Sequence, residues 1–199
     1  STGKTFTAMA LLRLVQENKL SLNDSMHKFF PGFPYAGITV QMLLSHRSGL
    51  PNYLYFMEAE KKNKEYINNN DVLNFLVTKK PNLSYSSGKR FNYCNTNFVL
   101  IALIIEKVSG KTFPAFMQEQ VFDPLQMKNT FVFTLADTAR ATPTFKATGG
   151  FWQNDMTDGT YGDKNIYTTP QDLLKWDQAL YTEQFLSKGV DEIRNIATQ

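Results

Sequence analysis

The sequence has 199 residues, of which 42% are hydrophobic and 14% aromatic, which is enough for one core and does not require two. Its 21 lysines and arginines against 18 aspartates and glutamates give a net charge of +3, too mild a positive charge to indicate nucleic acid as a partner. The longest apolar run, residues 98–105, is far too short to cross a bilayer, so we expect no membrane span in this chain.

Residue types argue against a metal site and an internal disulfide. The single cysteine, Cys94, has no partner within the chain, and this leaves the redox compartment undetermined. Two histidines, His27 and His46, without a cysteine cluster make no recognisable ligand set. We therefore expect no metal ion, and nothing in the sequence indicates an organic cofactor.

The first four residues, Ser-Thr-Gly-Lys, open a run with helical character. Ala8, Leu11 and Leu12 recur at the spacing of one helix face, which predicts a helix from residue 1 to about 18. In such a helix Lys4 shares a face with Ser1, so an amine lies within reach of a hydroxyl. A helix N-terminus favours developing negative charge, and a buried lysine can lose its proton and act as a base. Ser-x-x-Lys is therefore a candidate nucleophile motif.

Two other interpretations of this stretch stay open. Serine is a common helix cap and lysine a common surface residue, so the pair occurs often by chance. Gly3-Lys4-Thr5 also matches the end of a phosphate-binding P-loop whose first glycine would precede residue 1. A natural chain would rarely start on a nucleophile, and we expect these residues to belong to a longer protein.

The next part of the chain alternates turns and short helices. A turn at residues 20–25 leads to a short segment at 26–30, which a Pro-Gly pair breaks. Residues 41–46 predict a short helix with Thr39 as its N-cap, closed by a Gly/Pro turn at 47–51.

The middle of the chain contains the most apolar predicted helix. Residues 52–70 form a long connection whose aromatic side chains either line a pocket mouth or pack the connection itself. Asp71 is predicted to cap a helix that runs to residue 79. Residues 97–109 predict a helix that is apolar nearly all round and therefore buried on most sides, with Gly110 as its C-cap.

The last third mixes loops with helices. Residues 113–121 predict a helix that an Asp-Pro pair ends, and residues 129–165, rich in glycine, predict loop with room for short strands. Thr169, followed by proline, is predicted to cap a helix that reaches about residue 181. Residues 183–199 predict a further short helix.

Four short patterns follow one another along the chain. They are Ser-x-x-Lys at 1–4, Leu-Leu-Ser-His-Arg-Ser-Gly-Leu-Pro at 43–51, Tyr-Cys-Asn at 93–95, and Gly-Asp with Tyr-Thr-Thr-Pro-Gln-Asp-Leu between 162 and 173. In this order they resemble the class C β-lactamase-like serine hydrolases, a group with DD-peptidases, esterases and penicillin-binding proteins. The resemblance runs from residue 1 to about 181.

The resemblance implies an α/β serine β-lactamase-like fold, an antiparallel sheet flanked by helices plus an all-helical part. Residues 1–199 would be a partial domain, mainly its helical portion. The N-terminal strands and helix, and the C-terminal strands with the third motif, Lys-Thr-Gly or His-x-Gly, would lie outside it. A similar Lys-Ala-Thr-Gly at 146–149 precedes the Gly-Asp pattern and is out of order, so we reject it.

The resemblance also implies roles for individual residues. Ser1 would be the nucleophile, and Tyr93 the phenol that exchanges a proton with Ser1 and with the leaving group. The cation of Lys4 would lower the pKa of such a phenol. Asn95 would hold Lys4 and the substrate amide through its amide head. His46 is interpreted as a packing residue rather than a catalyst.

The sequence therefore predicts a serine hydrolase that forms an acyl-enzyme at Ser1 and hydrolyses an amide, lactam or ester. The partner would be a small-molecule or peptide substrate, the oligomeric state stays undetermined, and the resemblance implies the cell envelope, periplasm or secretion. The alternatives are a non-catalytic penicillin-binding or sensor module of the same fold and a P-loop nucleotide-binding fragment.

We expect residues 1–199 alone to lack turnover. The missing strand would supply the second oxyanion donor, its absence would expose Leu11, Leu12 and Val15, and Lys4 would be better solvated.

Overall fold

The computed structural model describes residues 1–57, 65–151, 155–183 and 185–187, and within them the chain forms eight α-helices and one two-stranded ribbon. The helices are α1 (Gly3–Gln16), α2 (Met26–Phe29), α3 (Val40–Leu44), α4 (Tyr53–Phe56), α5 (Asn69–Lys79), α6 (Asn95–Ser109), α7 (Phe113–Met117) and α8 (Pro170–Leu180). Strands β1 (Phe131–Val132) and β2 (Ile166–Tyr167) are antiparallel, with Phe131 opposite Tyr167. The helix predicted over 183–199 lies almost wholly outside the described residues.

Helix α6 is the centre of the core. Its residues from Thr96 to Ile105 are all buried, because the sequence is apolar nearly all round and offers no polar face to solvent. Helices α1, α3, α4, α5 and α7 pack around it. The predicted burial of this segment is confirmed, although the helix starts at Asn95, two positions before the predicted start.

Helix α1 is also covered on most of its sides. It starts at Gly3 rather than residue 1, and a hydrogen bond of 3.1 Å from the Lys4 N–H to the Ser1 carbonyl closes its first turn. The expectation that Leu11 and Leu12 would be exposed in this chain is wrong, since their exposed fractions are 0% and 4%. Neighbours from within the chain cover the helix; its Phe6, for example, stacks on Trp176 of α8 with ring centroids 4.2 Å apart.

Several predicted helix ends are confirmed. The Thr39 hydroxyl accepts from the third N–H of α3, and the Thr169 hydroxyl does the same for α8. Gly110 ends α6 in the left-handed conformation with a φ of 71°, a region that glycine enters without steric cost.

Two predicted elements differ in detail. The N-cap of α5 is Asn68 and not Asp71; the Asp71 carboxylate instead accepts from the Asn68 N–H, completing a reciprocal capping box. Helix α7 continues into a wider π-type turn at Gln118–Phe122. The helix and this turn together cover the predicted helix of 113–121. The predicted loop at 129–165 contains the short strand β1.

Two glycines allow loops to lie directly on neighbouring backbone. A Cβ on Gly49, whose φ is 74°, would lie 2.0 Å from the Tyr85 carbonyl oxygen. A Cβ on Gly162, whose φ is 96°, would lie 2.4 Å from the Phe98 carbonyl oxygen. The loop at 45–51 is thereby held against the segment that precedes α6, and the loop at 160–165 against α6 itself.

Within the described part of the chain, we find no helix that combines the length and the apolar character needed to cross a membrane.

Candidate active site

Ser1 and Lys4 meet at the start of α1. The Lys4 ammonium nitrogen lies 3.3 Å from the Ser1 hydroxyl oxygen and donates a second hydrogen bond, of 2.8 Å, to the Asp163 carbonyl oxygen. Lys4 is only 6% exposed, whereas Ser1 is exposed. The structure thus places a buried cation against a hydroxyl that is open to solvent.

Tyr93 covers Lys4 with its ring. The Lys4 nitrogen lies 5.1 Å from the centroid of the Tyr93 ring, within the range of a cation–π contact. The tyrosine is 46% exposed. Among the hydrogen bonds of the described residues, none joins this hydroxyl to Ser1 or Lys4. Tyr93 therefore contacts Lys4 through the face of its ring and not through its hydroxyl.

Asn95 follows Tyr93 by two residues and makes no hydrogen bond to Lys4 among the described residues. It is the first residue of α6 and is partly buried. The hydrogen-bond partners of the Lys4 ammonium in the described chain are the Ser1 hydroxyl and the Asp163 carbonyl. The part of the prediction in which Asn95 holds Lys4 does not match this geometry, while its contact with substrate stays a prediction.

His46 is a neutral packing residue, in agreement with its interpretation from sequence. Its Nδ1 accepts a hydrogen bond of 3.1 Å from the Cys94 N–H, so the proton of the neutral ring is on Nε2. The ring stacks on Tyr93 with centroids 4.4 Å apart. Burial, together with the positive charge of Lys4, lowers the pKa of His46 to about 4. The histidine therefore packs against the ring of Tyr93 and stays uncharged at neutral pH.

A buried polar pair ties the loop at 45–51 to α6. The Ser48 hydroxyl donates to the Asn97 side-chain oxygen at 2.6 Å and accepts from the Leu50 N–H at 3.1 Å. Sequence reasoning missed this pair. The available signal was the polar Asn97 within an otherwise apolar helix, since a buried amide needs partners.

Asp163 is a second residue that sequence reasoning left without a role, although its Gly-Asp pattern was recognised. Its side chain is 3% exposed, and Oδ2 lies 2.9 Å from the Tyr53 hydroxyl. Its Oδ1 has no hydrogen-bond partner among the described residues. Burial raises the pKa of Asp163, and the charge of Lys4 reduces this shift without cancelling it. Tyr53 is fully buried, so packing and not a pocket mouth is its role.

A cavity of about 500 Å³ lies next to the ribbon but on its other face. Asn165 and Tyr167 line this cavity, whereas Ile166, between them, lies 3.5 Å from where a Cβ on Gly3 would be. Because successive side chains of a strand point to opposite faces, β2 separates the cavity from Ser1. Among the described residues no group of three or more His, Cys, Asp or Glu side chains could hold a metal ion.

Comparison with known proteins agrees with this arrangement. The model of the β-lactamase family matches residues 1–195, almost the full chain. The chain belongs to the β-lactamase family. Its members include serine hydrolases, and the predicted family and the β-lactamase-like fold are both confirmed.

Named relatives of this family member include enzymes and penicillin-binding proteins. Penicillin-binding protein 4* of Bacillus subtilis is 30% identical over 96% of this chain and 46% of its own length. The structure of a penicillin-binding protein from Bacillus halodurans superposes with a TM-score of 0.79 at 27% identity, over 98% of this chain and 60% of that one. D-amino acid amidase from Ochrobactrum anthropi gives a TM-score of 0.74 at 26% identity, over 95% and 56%. The chain thus spans about half the length of these relatives.

Proposed function

We propose that this chain carries the nucleophile of a serine hydrolase that forms an acyl-enzyme at Ser1 and hydrolyses an amide, lactam or ester. The observation that supports this most directly is the contact of 3.3 Å between the buried Lys4 ammonium and the exposed Ser1 hydroxyl. A cation held against a hydroxyl favours the charge that develops there during attack. Membership of a family of serine hydrolases supports the same reaction class.

In the proposed reaction the Ser1 oxygen attacks the substrate carbonyl, and the Ser1 proton passes to the phenolate form of Tyr93. The Lys4 cation, 5.1 Å from the Tyr93 ring, stabilises that phenolate. When the tetrahedral intermediate collapses, the bond to the leaving group breaks and Tyr93 returns the proton to it. Water then attacks the ester carbonyl at Ser1, the bond between the carbonyl carbon and the Ser1 oxygen breaks to release the carboxylic acid, and a proton of the water restores the Ser1 hydroxyl.

The substrate class stays broad in this proposal. Relatives of this chain are named penicillin-binding protein and D-amino acid amidase, and both names are consistent with acyl transfer at a carbonyl carbon. We place Asn95 at the substrate amide and the second oxyanion donor on a strand outside residues 1–199. Cell-wall-related names among the relatives, such as an N-acetylmuramyl-L-alanine amidase, support a location in the cell envelope.

Covalent labelling tests the proposal on the protein as it occurs in the cell. We expect a fluorophosphonate or a fluorescent penicillin to label the wild type, and Ser1→Ala to abolish the label with the fold intact. Thr5→Ala is the matched control, because Thr5 is an exposed hydroxyl on the next turn that donates to the Thr2 carbonyl. Labelling of Ser1→Ala at the wild-type level would remove Ser1 from the mechanism.

Release of the label separates the alternatives. Slow or absent release would indicate a penicillin-binding or sensor module, whereas release with turnover indicates a hydrolase. Nucleotide binding would support the P-loop interpretation. That interpretation needs a following apolar strand that ends in an aspartate, and the best candidate for it, residues 100–106, ends in Glu106 and lies in helix α6.

We also expect residues 1–199 alone to turn over no substrate. Solvation of Lys4 is no longer a reason, since Lys4 is buried within this chain. The remaining reason is the second oxyanion donor, whose loss typically lowers turnover roughly 10²–10³-fold. Hydrolysis of nitrocefin or p-nitrophenyl acetate by residues 1–199, with Ser1→Ala as the control, measures this turnover. Ser1-dependent turnover within about tenfold of that of the protein as it occurs in the cell would contradict this reason.

A further inference from the structure

A row of oxygen atoms runs from the buried Asp163 away from Lys4. The Asp163 Oδ2 lies 2.9 Å from the Tyr53 hydroxyl, which lies 2.9 Å from the Thr160 hydroxyl, which lies 2.7 Å from the Thr157 carbonyl oxygen. All three separations are in the range of O–H···O hydrogen bonds. Each of the three contacts therefore needs a hydrogen between its two oxygens.

Two hydroxyls can supply only two of these hydrogens. If Asp163 is ionised, Tyr53 donates to it and Thr160 donates either to Tyr53 or to Thr157, so one close oxygen pair has no hydrogen between its atoms. If Asp163 is protonated on Oδ2, it donates to Tyr53, Tyr53 donates to Thr160, and Thr160 donates to the Thr157 carbonyl. The Thr157 carbonyl also accepts from the Thr160 N–H at 3.0 Å, but only the protonated acid places a hydrogen in all three O···O contacts.

No nearby cation bonds to the carboxyl group, although the charge of Lys4 acts to lower its pKa. Lys4 bonds to the backbone carbonyl of Asp163 and not to its carboxyl group, and Lys164 bonds to Thr157 and Asp158. The second carboxyl oxygen, Oδ1, has no donor among the described residues. An ionised carboxylate buried without a bonded cation and with one oxygen unbonded would be costly. Burial also raises the pKa of this group.

We propose that the Asp163 carboxyl group is protonated in the folded protein and donates a hydrogen bond to the Tyr53 hydroxyl. A neutral acid rather than a carboxylate then lies beside Lys4. The groups that face this carboxyl are Lys4 from α1, Tyr53 from α4 and Lys164 from its own loop. Of these, Tyr53 bonds to the carboxyl group, and its hydroxyl can accept from a protonated acid as well as donate to a carboxylate.

The catalytic consequence rests on the proposed function. A carboxylate at this place would compensate the positive charge of Lys4, and its field at Ser1 and Tyr93 would be weaker. A neutral acid leaves that charge directed at the two reacting oxygens, while the Asp163 carbonyl holds the ammonium in place. Asp163 is thus a positioning residue, which acts through Lys4 and touches no substrate.

Infrared difference spectroscopy on the protein as it occurs in the cell reads this proton directly. At pH 7, wild type minus Asp163→Asn should show the carbonyl band of a carboxylic acid. Tyr53→Phe, which removes the acceptor of the proton, should shift that band and gives a second variant should the first fold poorly. Wild type minus Asp172→Asn is the matched control and should show carboxylate bands, because Asp172 is a buried aspartate with three bonded donors. Carboxylate bands in the Asp163 difference, with no acid band, would overturn the proposal.

Acylation of Ser1 gives the second readout. Asp163→Ala should slow acylation by about tenfold or more, since it frees the loop that holds Lys4. Asp163→Asn should recover most of this loss, because its amide N–H can donate to Tyr53 in place of the acid. Equal losses in the two variants would contradict the proposal. An acid band in a protein whose Ser1 is never acylated would keep the proton assignment and reject the proposed function instead.

Discussion

The surroundings of Lys4 and the start of α8 each bury an aspartate, yet the two carboxyl groups differ in their hydrogen bonds. Asp163 has one bonded neighbour, Tyr53, and an oxygen without a donor. Asp172 accepts from three donors, the Asn129 N–H at 2.8 Å, the Thr130 hydroxyl at 3.0 Å and the Lys175 ammonium at 2.9 Å. Burial acts to raise the pKa of Asp172, but these hydrogen bonds outweigh it and hold the pKa below its usual range.

The difference teaches that burial and the donors around an acid together decide its charge, since Asp163 has the stronger burial effect and the fewer donors. At α8 the donors keep a carboxylate that joins the helix start to the preceding loop. Around Lys4, His46 is uncharged and Asp163 is assigned as uncharged, so the positive charge of Lys4 meets no bonded anion among the described residues. Three predictions can break or sharpen this comparison.

The largest expected effect concerns the unit formed by Lys4 and Tyr93. If Lys4 acts through Tyr93, Lys4→Ala and Tyr93→Phe should each slow acylation by roughly 10²–10⁴-fold, and the double variant should be little slower than the worse single one. Single-turnover labelling rates measure this. Lys19→Ala is the control, since Lys19 is an exposed lysine paired with Glu17. Losses that add in the logarithm of the rate would show that the two residues work independently.

The next effect concerns the neutral His46. Its pKa of about 4 lies below the unfolded value near 6.5, so the unfolded chain binds a proton that the folded chain refuses between these two pH values. Stability contributed by the neutral ring is therefore complete above pH 6.5 and is lost as the pH falls towards 4, by on the order of 3 kcal/mol.

Denaturant unfolding of wild type and His46→Asn across this pH range measures that loss. Asparagine tolerates the φ of 55° found at this position and keeps an acceptor for the Cys94 N–H, but does not titrate. The free energy of unfolding of the wild type should fall more steeply towards acid pH than that of the variant. Parallel pH profiles for the two proteins would contradict the neutral assignment.

The smallest effect concerns Asp172. Asp172→Asn should lower the free energy of unfolding by about 1–3 kcal/mol at neutral pH, because buried donors lose a charged acceptor. Thermal or urea unfolding measures it. Lys175→Met removes the exposed partner alone and should cost less than about 1 kcal/mol. A loss in Asp172→Asn no larger than in Lys175→Met would mean that the backbone donors contribute nothing, and the contrast with Asp163 would fail.

Local patterns predicted much of this fold. The apolar run of residues 98–105 required a buried helix, and the caps at Thr39, Thr169 and Gly110 were readable because a hydroxyl or a glycine at a helix end acts on neighbours within a few residues. The order of four short patterns gave the family. The contact between Ser1 and Lys4 was predicted from helical spacing, and the structure has it, although α1 starts at Gly3 and a turn brings Ser1 to Lys4.

Long-range contacts escaped prediction. Asn95 was expected to hold Lys4, but the carbonyl of Asp163 takes that position, and any residue has a carbonyl, so no side-chain type could signal it. The covering of Leu11 and Leu12 depends on partners brought from distant parts of the chain. The sequence predicted Asp71 as the cap of α5 where the structure has Asn68. Both residue types cap helices, and only the backbone geometry distinguishes them.

The sequence by itself determined the longer helices, several of their ends, the family and the candidate pair Ser1 and Lys4, because these depend mainly on neighbours within one or two helical turns. The tertiary structure decided which atoms surround Lys4: the ring of Tyr93, the neutral His46 behind it, and the Asp163 carbonyl on the other side. The proton states of buried groups depend on which donors and charges the fold places beside them, and that placement combines segments far apart in the chain.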